Sequence, residues 1–355
     1  MRLPFSVVLL VSLFLIGCGS TADKVKEEFL PLARGEADEI ILVIDSALYA
    51  GQVGVEIRSM YQQYVRILPQ DEYQFALNKV NPLKFNSVLK YAKNLIMVMT
   101  LDKGTAQNRE VREYFTDNSL KMIQRDTSLY YTVRKDEFAR GQIVLYLFGQ
   151  NEEQLVNHIK DNKSNLVELF ESAVRQRTRD KLFAGTKNQL MKAITEDHGY
   201  EIQIPYGYDL AKNLKDFMWL RKLEADSEFN VFVYEGPYRS QTVFNDIGEL
   251  RDDITGTYLR DGEKPDKYIE RQEIIPVFTE RVNFNGNFAV EARGLWAISD
   301  KSAGGPFVSY TLVDEVTQKL YYVEGYVYAP GTKKKKLLRE VEAIISTFKL
   351  PEGES

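Results

Sequence analysis

The spacing of apolar residues along the chain changes near residue 200. Before that point they gather in near-continuous runs. Glu39 to Asp45 (EIILVID), Leu95 to Leu101 (LIMVMTL) and Ile143 to Phe148 (IVLYLF) read as strands buried on both faces. Between the runs, Val53, Ile57, Tyr61 and Tyr64 recur at helical spacing, Tyr73 to Val80 alternates loosely as a further strand, and Phe85 to Tyr91 follows Pro82 as a short helix. The strongest helix signal starts at Gly149. Asn151 stands at the cap, Gln154 three residues on completes a capping box, and Leu155, Ile159, Leu166, Phe170 and Val174 share one stripe. Glu152 and Glu153 at its start, with Arg175, Arg177 and Arg179 far downstream, suit the helix dipole. The order β-α-β-β-α-β-α over residues 38–183 predicts a ferredoxin-like α/β sandwich. The stretch from Thr105 to Arg140 shows no clear period.

Residues 184–199 read as a connecting helix, with Leu190, Ala193 and Ile194 on one side and His198-Gly199 as its end. From Tyr200 the period is two. Strands are predicted at Tyr200 to Ile204, Phe217 to Leu220 and Phe229 to Tyr234, and a helix from Phe244 to Leu259 despite Gly248 and Gly256. Phe288, Val290, Ala292, Gly294 and Trp296 fall on one face of a long strand, with Glu291 and Arg293 on the other. Gly304-Gly305-Pro306 reads as a turn. Phe307 to Val313 and Leu320 to Tyr328 pair around Asp314 to Thr317, and Leu337 to Phe348 closes the chain as an amphipathic helix. The second domain, residues 200–350, is thus expected to be a mainly antiparallel sheet with flanking helices, followed by a loose tail at 351–355. The fold class is α+β in two domains.

The N-terminus adds an address. Arg2 precedes an apolar stretch, Val7 to Ile16, that is broken only by Ser12 and is too short to span a bilayer. Leu15-Ile16-Gly17-Cys18 resembles the bacterial lipobox, which implies removal of residues 1–17 and acylation of Cys18. Residues 18–37 then form an acylated tether, polar and interrupted by Pro31. Gly19, where an aspartate would signal inner-membrane retention, favours the outer membrane with the protein facing the periplasm. Cys18 is the single cysteine, so no disulfide can form within the chain. The net charge of −5 and the envelope address argue against nucleic acid.

The two domains carry resemblances. Ile204-Pro205-Tyr206-Gly207-Tyr208 and Ser346-Thr347-Phe348 stand where the sandwich shared by photosystem oxygen-evolving subunits and a nuclear import cofactor has its first and last motifs. That resemblance is architectural and implies no activity. Across the mature length the chain resembles an uncharacterised family of lipoproteins from Bacteroidota. The resemblance is carried by Gly51-Gln52-Val53-Gly54, Ile67-Leu68-Pro69-Gln70, Gly141-Gln142-Ile143-Val144, Arg293-Gly294-Leu295-Trp296, Gly304-Gly305-Pro306-Phe307, Tyr328-Ala329-Pro330 and Glu342-Ala343-Ile344. It implies the localisation and the two-part layout, and no site.

Candidate chemistry is sparse. With two histidines, His158 and His198, neither a histidine-based triad nor a metal set at ligand spacing can be assembled, so no cofactor or metal is expected. GxGxxG and GxxxxGK are missing, which argues against a nucleotide. Asp45-Ser46 ends the first strand before a glycine-containing segment and reads as a helix cap or turn. Asp252, Asp253 and Glu291 are carboxylates suited by type to a hydrolase. Two features break local rules. Lys333, Lys334, Lys335 and Lys336 sit where the last helix begins, against its dipole, and suit lipid phosphates or an acidic partner. Tyr322, Tyr326 and Tyr328 share a strand face that suits stacking on a glycan. The expectation is a non-enzymatic, lipid-anchored envelope protein that binds or assembles with an envelope protein. A glycan- or peptidoglycan-binding module is the alternative, and a carboxylate-dependent hydrolase the second.

Overall fold

The computed structural model describes residues 29–351 apart from 261, 262 and 265. Cys18 and the stretch read as a leader lie outside the described residues.

The first half runs β1 (Glu39–Ile44), α1 (Ser46–Ala50), α2 (Gln52–Tyr61), β2 (Ala76–Val80), α3 (Ser87–Lys90), β3 (Asn94–Thr100), α4 (Ala106–Arg112), α5 (Asp117–Arg125), β4 (Tyr131–Lys135), β5 (Ile143–Gly149), α6 (Glu152–Asp161) and α7 (Lys163–Leu182). Its sheet has the order β2-β1-β3-β5-β4. β1 pairs in parallel with β2 and β3, β3 with β5, and only β4 is antiparallel. Every residue of β3 and β5 is buried, which is why their sequences do not alternate. One face meets Val53 and Ile57 of α2, Leu155 and Ile159 of α6 and Phe170 of α7. The other meets Val111 of α4 and Ile123 of α5.

An α/β sandwich is therefore present, but its connectivity differs from the ferredoxin-like order. Parallel neighbours need crossover helices, and these cover both faces of the sheet, whereas ferredoxin-like strands run antiparallel with helices on one face. The stretch without clear period, Thr105 to Arg140, supplies the second helical layer and the antiparallel edge strand. Without it, the visible helices fall on one face only. The Asn151 cap holds, with Oδ1 accepting from Gln154 N at 2.9 Å, but the return bond of the box reaches one residue further, Gln154 Oε1 accepting from Gln150 N at 2.7 Å. The helix it starts is interrupted at Asn162, between α6 and α7.

α8 (Asn188–His198) joins the halves and ends on Gly199 at φ 81°, as the His-Gly signal predicts. The second half runs β6 (Asp209–Leu214), β7 (Phe217–Leu223), β8 (Glu228–Pro237), α9 (Ile247–Tyr258), β9 (Ile269–Arg271), β10 (Phe278–Phe284), β11 (Asn287–Ile298), β12 (Gly304–Asp314), β13 (Lys319–Tyr328) and α10 (Lys335–Ile345). The sheet order is β10-β11-β12-β13-β8-β7-β6, with β9 on β11. All of its pairs are antiparallel. α10 and the connecting α8 cover one face and α9 the other. Val341 and Ile344 of α10 pack on Tyr321, Val323 and Val327. Ile247 and Ile254 of α9 pack on Phe232, Phe307 and Tyr322.

Two expected elements differ. Tyr200 to Ile204 forms no strand; it makes only the bridges Glu201 to Lys349 and Thr186 to Pro205. Its alternation comes from burying Tyr200, Ile202 and Ile204 in the core under α10. Gly304-Gly305-Pro306 is the start of β12, and the chain reverses earlier, around Lys301 at φ 61°.

Candidate functional site

α9 is shorter than the strands it covers. Beyond its last turn the sheet face forms a recess of about 640 Å³. Strand pairing sets Tyr326 of β13, Asn230 of β8 and Arg221 of β7 in one row across the floor, with Tyr328 opposite Glu228 beside it. Trp219 and Trp296 form parts of the walls, and Tyr258 and Tyr268 reach in from the end of α9 and the loop before β9. These are the chain's only two tryptophans, and both line this one recess.

Two glycines make the wall possible. Trp296 lies across the next strands and donates from Nε1 to Val327 O at 3.2 Å. A Cβ on Gly305 would sit 2.1 Å from that same carbonyl oxygen and 3.2 Å from the indole nitrogen. A Cβ on Gly294 would sit 2.5 Å from the Phe307 ring. Arg-Gly-Leu-Trp and Gly-Gly-Pro-Phe are thus two halves of one close approach, with β11 and β12 paired in register from Ala289 to Ala297.

The aromatic planes are tilted rather than parallel. Trp296 meets Tyr326 at 71° and Tyr328 at 57°. Polar groups are interleaved with them. Trp219 Nε1 donates to Asn230 Oδ1 at 3.1 Å, and Arg221 Nη2 donates to Glu228 Oε2 at 2.9 Å. Arg221 Nε is buried without a hydrogen-bond partner. Burial pushes the Tyr326 hydroxyl well above the ordinary phenol range, and burial with the Asp216 hydrogen bond does the same to Tyr258. Both therefore stay protonated donors at neutral pH.

The tyrosine face expected to be exposed is mostly core. Tyr322 is 0% and Tyr326 3% exposed, packed under α9 and against Phe232 and Trp296. Glu324 between them is the reason. Arg251 of α9 places Nε 2.9 Å and Nη2 2.8 Å from its two oxygens, with both side chains fully buried, and Tyr322 donates to it at 2.6 Å. Burial pushes the Glu324 carboxyl up despite Arg251, and Arg251 stays charged against its own burial because Glu324 is there. Tyr328 is half-buried and, like the edge of Tyr326, lines the recess.

The lysine run is turned to the first domain rather than to lipid. Lys334 is buried, and Glu72 Oε1 accepts from the backbone nitrogens of Lys334 at 2.6 Å and Lys335 at 3.1 Å. A carboxylate from the first half thus caps α10, whose own sequence supplies no capping side chain. Lys335 Nζ pairs with Asp38 at 2.6 Å and Lys336 with Glu36 at 2.6 Å, while Arg339 reaches Glu171 at 2.8 Å. Lys333 remains exposed.

The remaining candidates are tied into the structure. Asp45, not Ser46, caps α1, accepting from Ala47 N at 2.7 Å. His158 stacks on Tyr130 with centroids 4.6 Å apart, and His198 is buried with Nε2 2.7 Å from Asn213 Oδ1. No group of metal-ligating side chains occurs among the described residues. Asp252 accepts from Arg271 N at 2.7 Å, and Asp253 is exposed on α9. Glu291 lies in a cleft of about 1030 Å³ between the halves, together with Glu342. Both carboxylates hold Arg293, and Glu291 also accepts from Tyr310 Oη at 3.0 Å. Burial would lower the Arg293 guanidinium, but Glu342 and Glu291 hold it above its ordinary value.

Trp219, Arg221 and Asn230 went unremarked in the sequence. The signal for them was slight: the chain's two tryptophans both stand on strands of the second half.

Residues 33–183 match the model of one domain of unknown function (DUF8532), and residues 187–347 that of another (DUF4837). No curated protein matches the chain. Among solved structures, a point mutant of the protein Mog1 is similar at 9% identity and a TM-score of 0.29, covering 44% of this chain and 92% of that one. The Saccharomyces cerevisiae Ran-binding protein Mog1p is similar at 8% identity and a TM-score of 0.28, covering 42% and 89%.

Proposed function

We propose that the protein is a lipid-anchored binding module of the cell envelope, without catalytic chemistry of its own, and that the aromatic recess of the second domain is its ligand seat. One observation carries the reading. Trp219, Trp296, Tyr258, Tyr268, Tyr326 and Tyr328 converge on a single concavity with Arg221, Glu228 and Asn230 between them. Apolar planes with a few placed polar groups are the composition of ligand pockets, and a sheet end used only for packing is closed by a helix or by aliphatic side chains. The non-catalytic part rests on the carboxylates. Glu291 and Glu342 are both held by Arg293, so neither is poised as a free acid or base. The anchor and the outer-membrane address rest on the lipobox at Cys18.

The test is retention of the detergent-solubilised full chain on isolated cell envelopes. The double variant Trp219→Ala/Tyr328→Ala is expected to lose retention at least about tenfold. Thermal unfolding is the control for folding. Retention equal to the parent, with folding intact, removes the recess from the reading. Cys18→Ser is expected to move the protein from the membrane to the soluble fraction; continued membrane association removes the anchor.

A further inference from the structure

We infer that the ligand of the recess is an acidic saccharide: a pyranose ring that carries a carboxylate. The inference rests on the recess being a ligand seat and goes on to name what fills it.

The first argument is shape. A planar ligand is held best between parallel rings, and the Trp296 pairs stand at 71° and 57°. A puckered ring, with C–H bonds pointing to several sides, can meet tilted aromatic planes at once. The second is polarity. Asn230 is almost wholly buried and gives its oxygen to Trp219, which leaves its amide nitrogen for a ligand acceptor. Tyr328 lines the same recess. Sugar hydroxyls both donate and accept, so they match such a mixed set, whereas an acyl chain would leave it unsatisfied.

The third argument is charge. The lining holds four cationic side chains, Lys212, Arg221, Arg260 and Lys267, against one carboxylate, Glu228. Lys267 is paired with Asp300, Lys212 donates to Tyr258 O and Arg260 to Gly256 O, so the argument falls on Arg221. Glu228 takes only Nη2 of Arg221, and the side chain stays 37% exposed with no hydrogen bond from Nη1. A guanidinium can pair with two carboxylates through different edges, and a ligand carboxylate on Nη1 would form a charge-assisted hydrogen bond that the protein does not supply. A neutral sugar offers the hydroxyls without that anion.

Both tryptophans lie in the recess, so intrinsic fluorescence of the full chain reads this site directly. The probes are a glucuronic acid trimer, the matching glucose trimer and 2-naphthoate, titrated into the protein in detergent micelles at millimolar concentration. The uronate is expected to shift the emission and to bind roughly tenfold tighter than the neutral trimer. Arg221→Gln should erase that difference and leave the neutral trimer unchanged, and Arg221→Lys should restore part of it. Equal binding of the two trimers overturns the acidic part of the inference. A response to naphthoate without one to either trimer overturns the saccharide and keeps the recess as a seat. Silence from all three overturns the saccharide too; whether the seat itself stands is then read from the Trp219→Ala/Tyr328→Ala retention.

Discussion

Each half of the molecule ends a sheet at a place where a ligand could sit, and the two ends are finished differently. In the first half the place is the carboxyl end of β1 and β3, where the strand order reverses direction and open α/β sheets commonly bind ligands. There most of the polar groups are spent on one another, although Thr100 Oγ1 at the end of β3 is buried without a partner. Thr105 Oγ1 donates to Asp45 Oδ2 at 2.5 Å, Ser46 N donates to Gln107 Oε1 at 2.9 Å, and Lys79 Nζ donates to Ser46 Oγ at 3.2 Å. In the second half, α9 stops short of the strand ends, and the aromatic and polar groups there line a recess, with Tyr328, Trp219 and Arg221 only half-buried. The fold class would send a search for the site to the first end. The lining sends it to the second, because ligand pockets combine apolar planes with a few placed polar groups.

The contrast can be broken at its strongest point by detaching α9, whose end frames the recess. Glu324→Ala leaves Arg251 buried and unpaired, and denaturant unfolding should show a loss of roughly 3–5 kcal/mol. The double variant Arg251→Met/Glu324→Leu should recover most of it, since two apolar side chains need no partner. Next in size, Gly305→Ala should cost about 1–3 kcal/mol, because the added methyl meets the Val327 backbone oxygen rather than a movable side chain. Tryptophan emission should move to the red as Trp296 is displaced. An unchanged spectrum would mean that the wall does not depend on that close approach.

Closing bonds at the other end are worth less. Asp45→Ala should cost about 1–2 kcal/mol by unfolding, through the lost cap of α1 and the lost acceptor of Thr105, with uronate binding unchanged. A binding loss there would make the two ends one site and defeat the contrast.

The two halves are also joined electrostatically. Burial pushes the Asp38 carboxyl up, but the Lys335 hydrogen bond and the charges of Lys335 and Arg339 outweigh it and hold the group below its ordinary value. A lowered folded-state value contributes stability that is complete above the ordinary aspartate range and is lost as pH falls toward the folded value. Hydrogen exchange at the start of α10 should therefore quicken below about pH 4 before either sheet opens. Exchange that stays level with pH would show that Asp38 does not hold the junction. The smallest effect belongs to Lys336→Ala. Its exposed pair with Glu36 is worth less than about 0.5 kcal/mol, so unfolding should scarcely change.

Much of this was legible from residue order. The continuous runs of β1, β3 and β5, the Asn151 cap and the Gly199 helix end all depend on neighbours a few positions away. Alternation around β11, β12 and β13 likewise showed which residues share a face, though not which face lies under a helix. Three features were beyond its reach. The parallel strand order depended on α4 and α5, helices of 7 and 9 residues that each bury a single apolar side chain, Val111 and Ile123. The lysine run looked frustrated because its cap, Glu72, stands in the other half of the chain. The tyrosine face looked available because the arginine that buries Glu324 beside it comes from α9, 73 residues away.

By itself the sequence determined the periodicities, and with them the elements, the two-part α+β layout and the leader pattern at Cys18. Only the tertiary structure decided what those elements leave uncovered. A recess exists because α9 ends before the strands do and because Gly305 admits Trp296 to the Val327 carbonyl. Local spacing encodes which side of an element is apolar. Whether that side meets a helix, an ion pair or solvent is set by contacts between residues far apart in the chain, and no period records them.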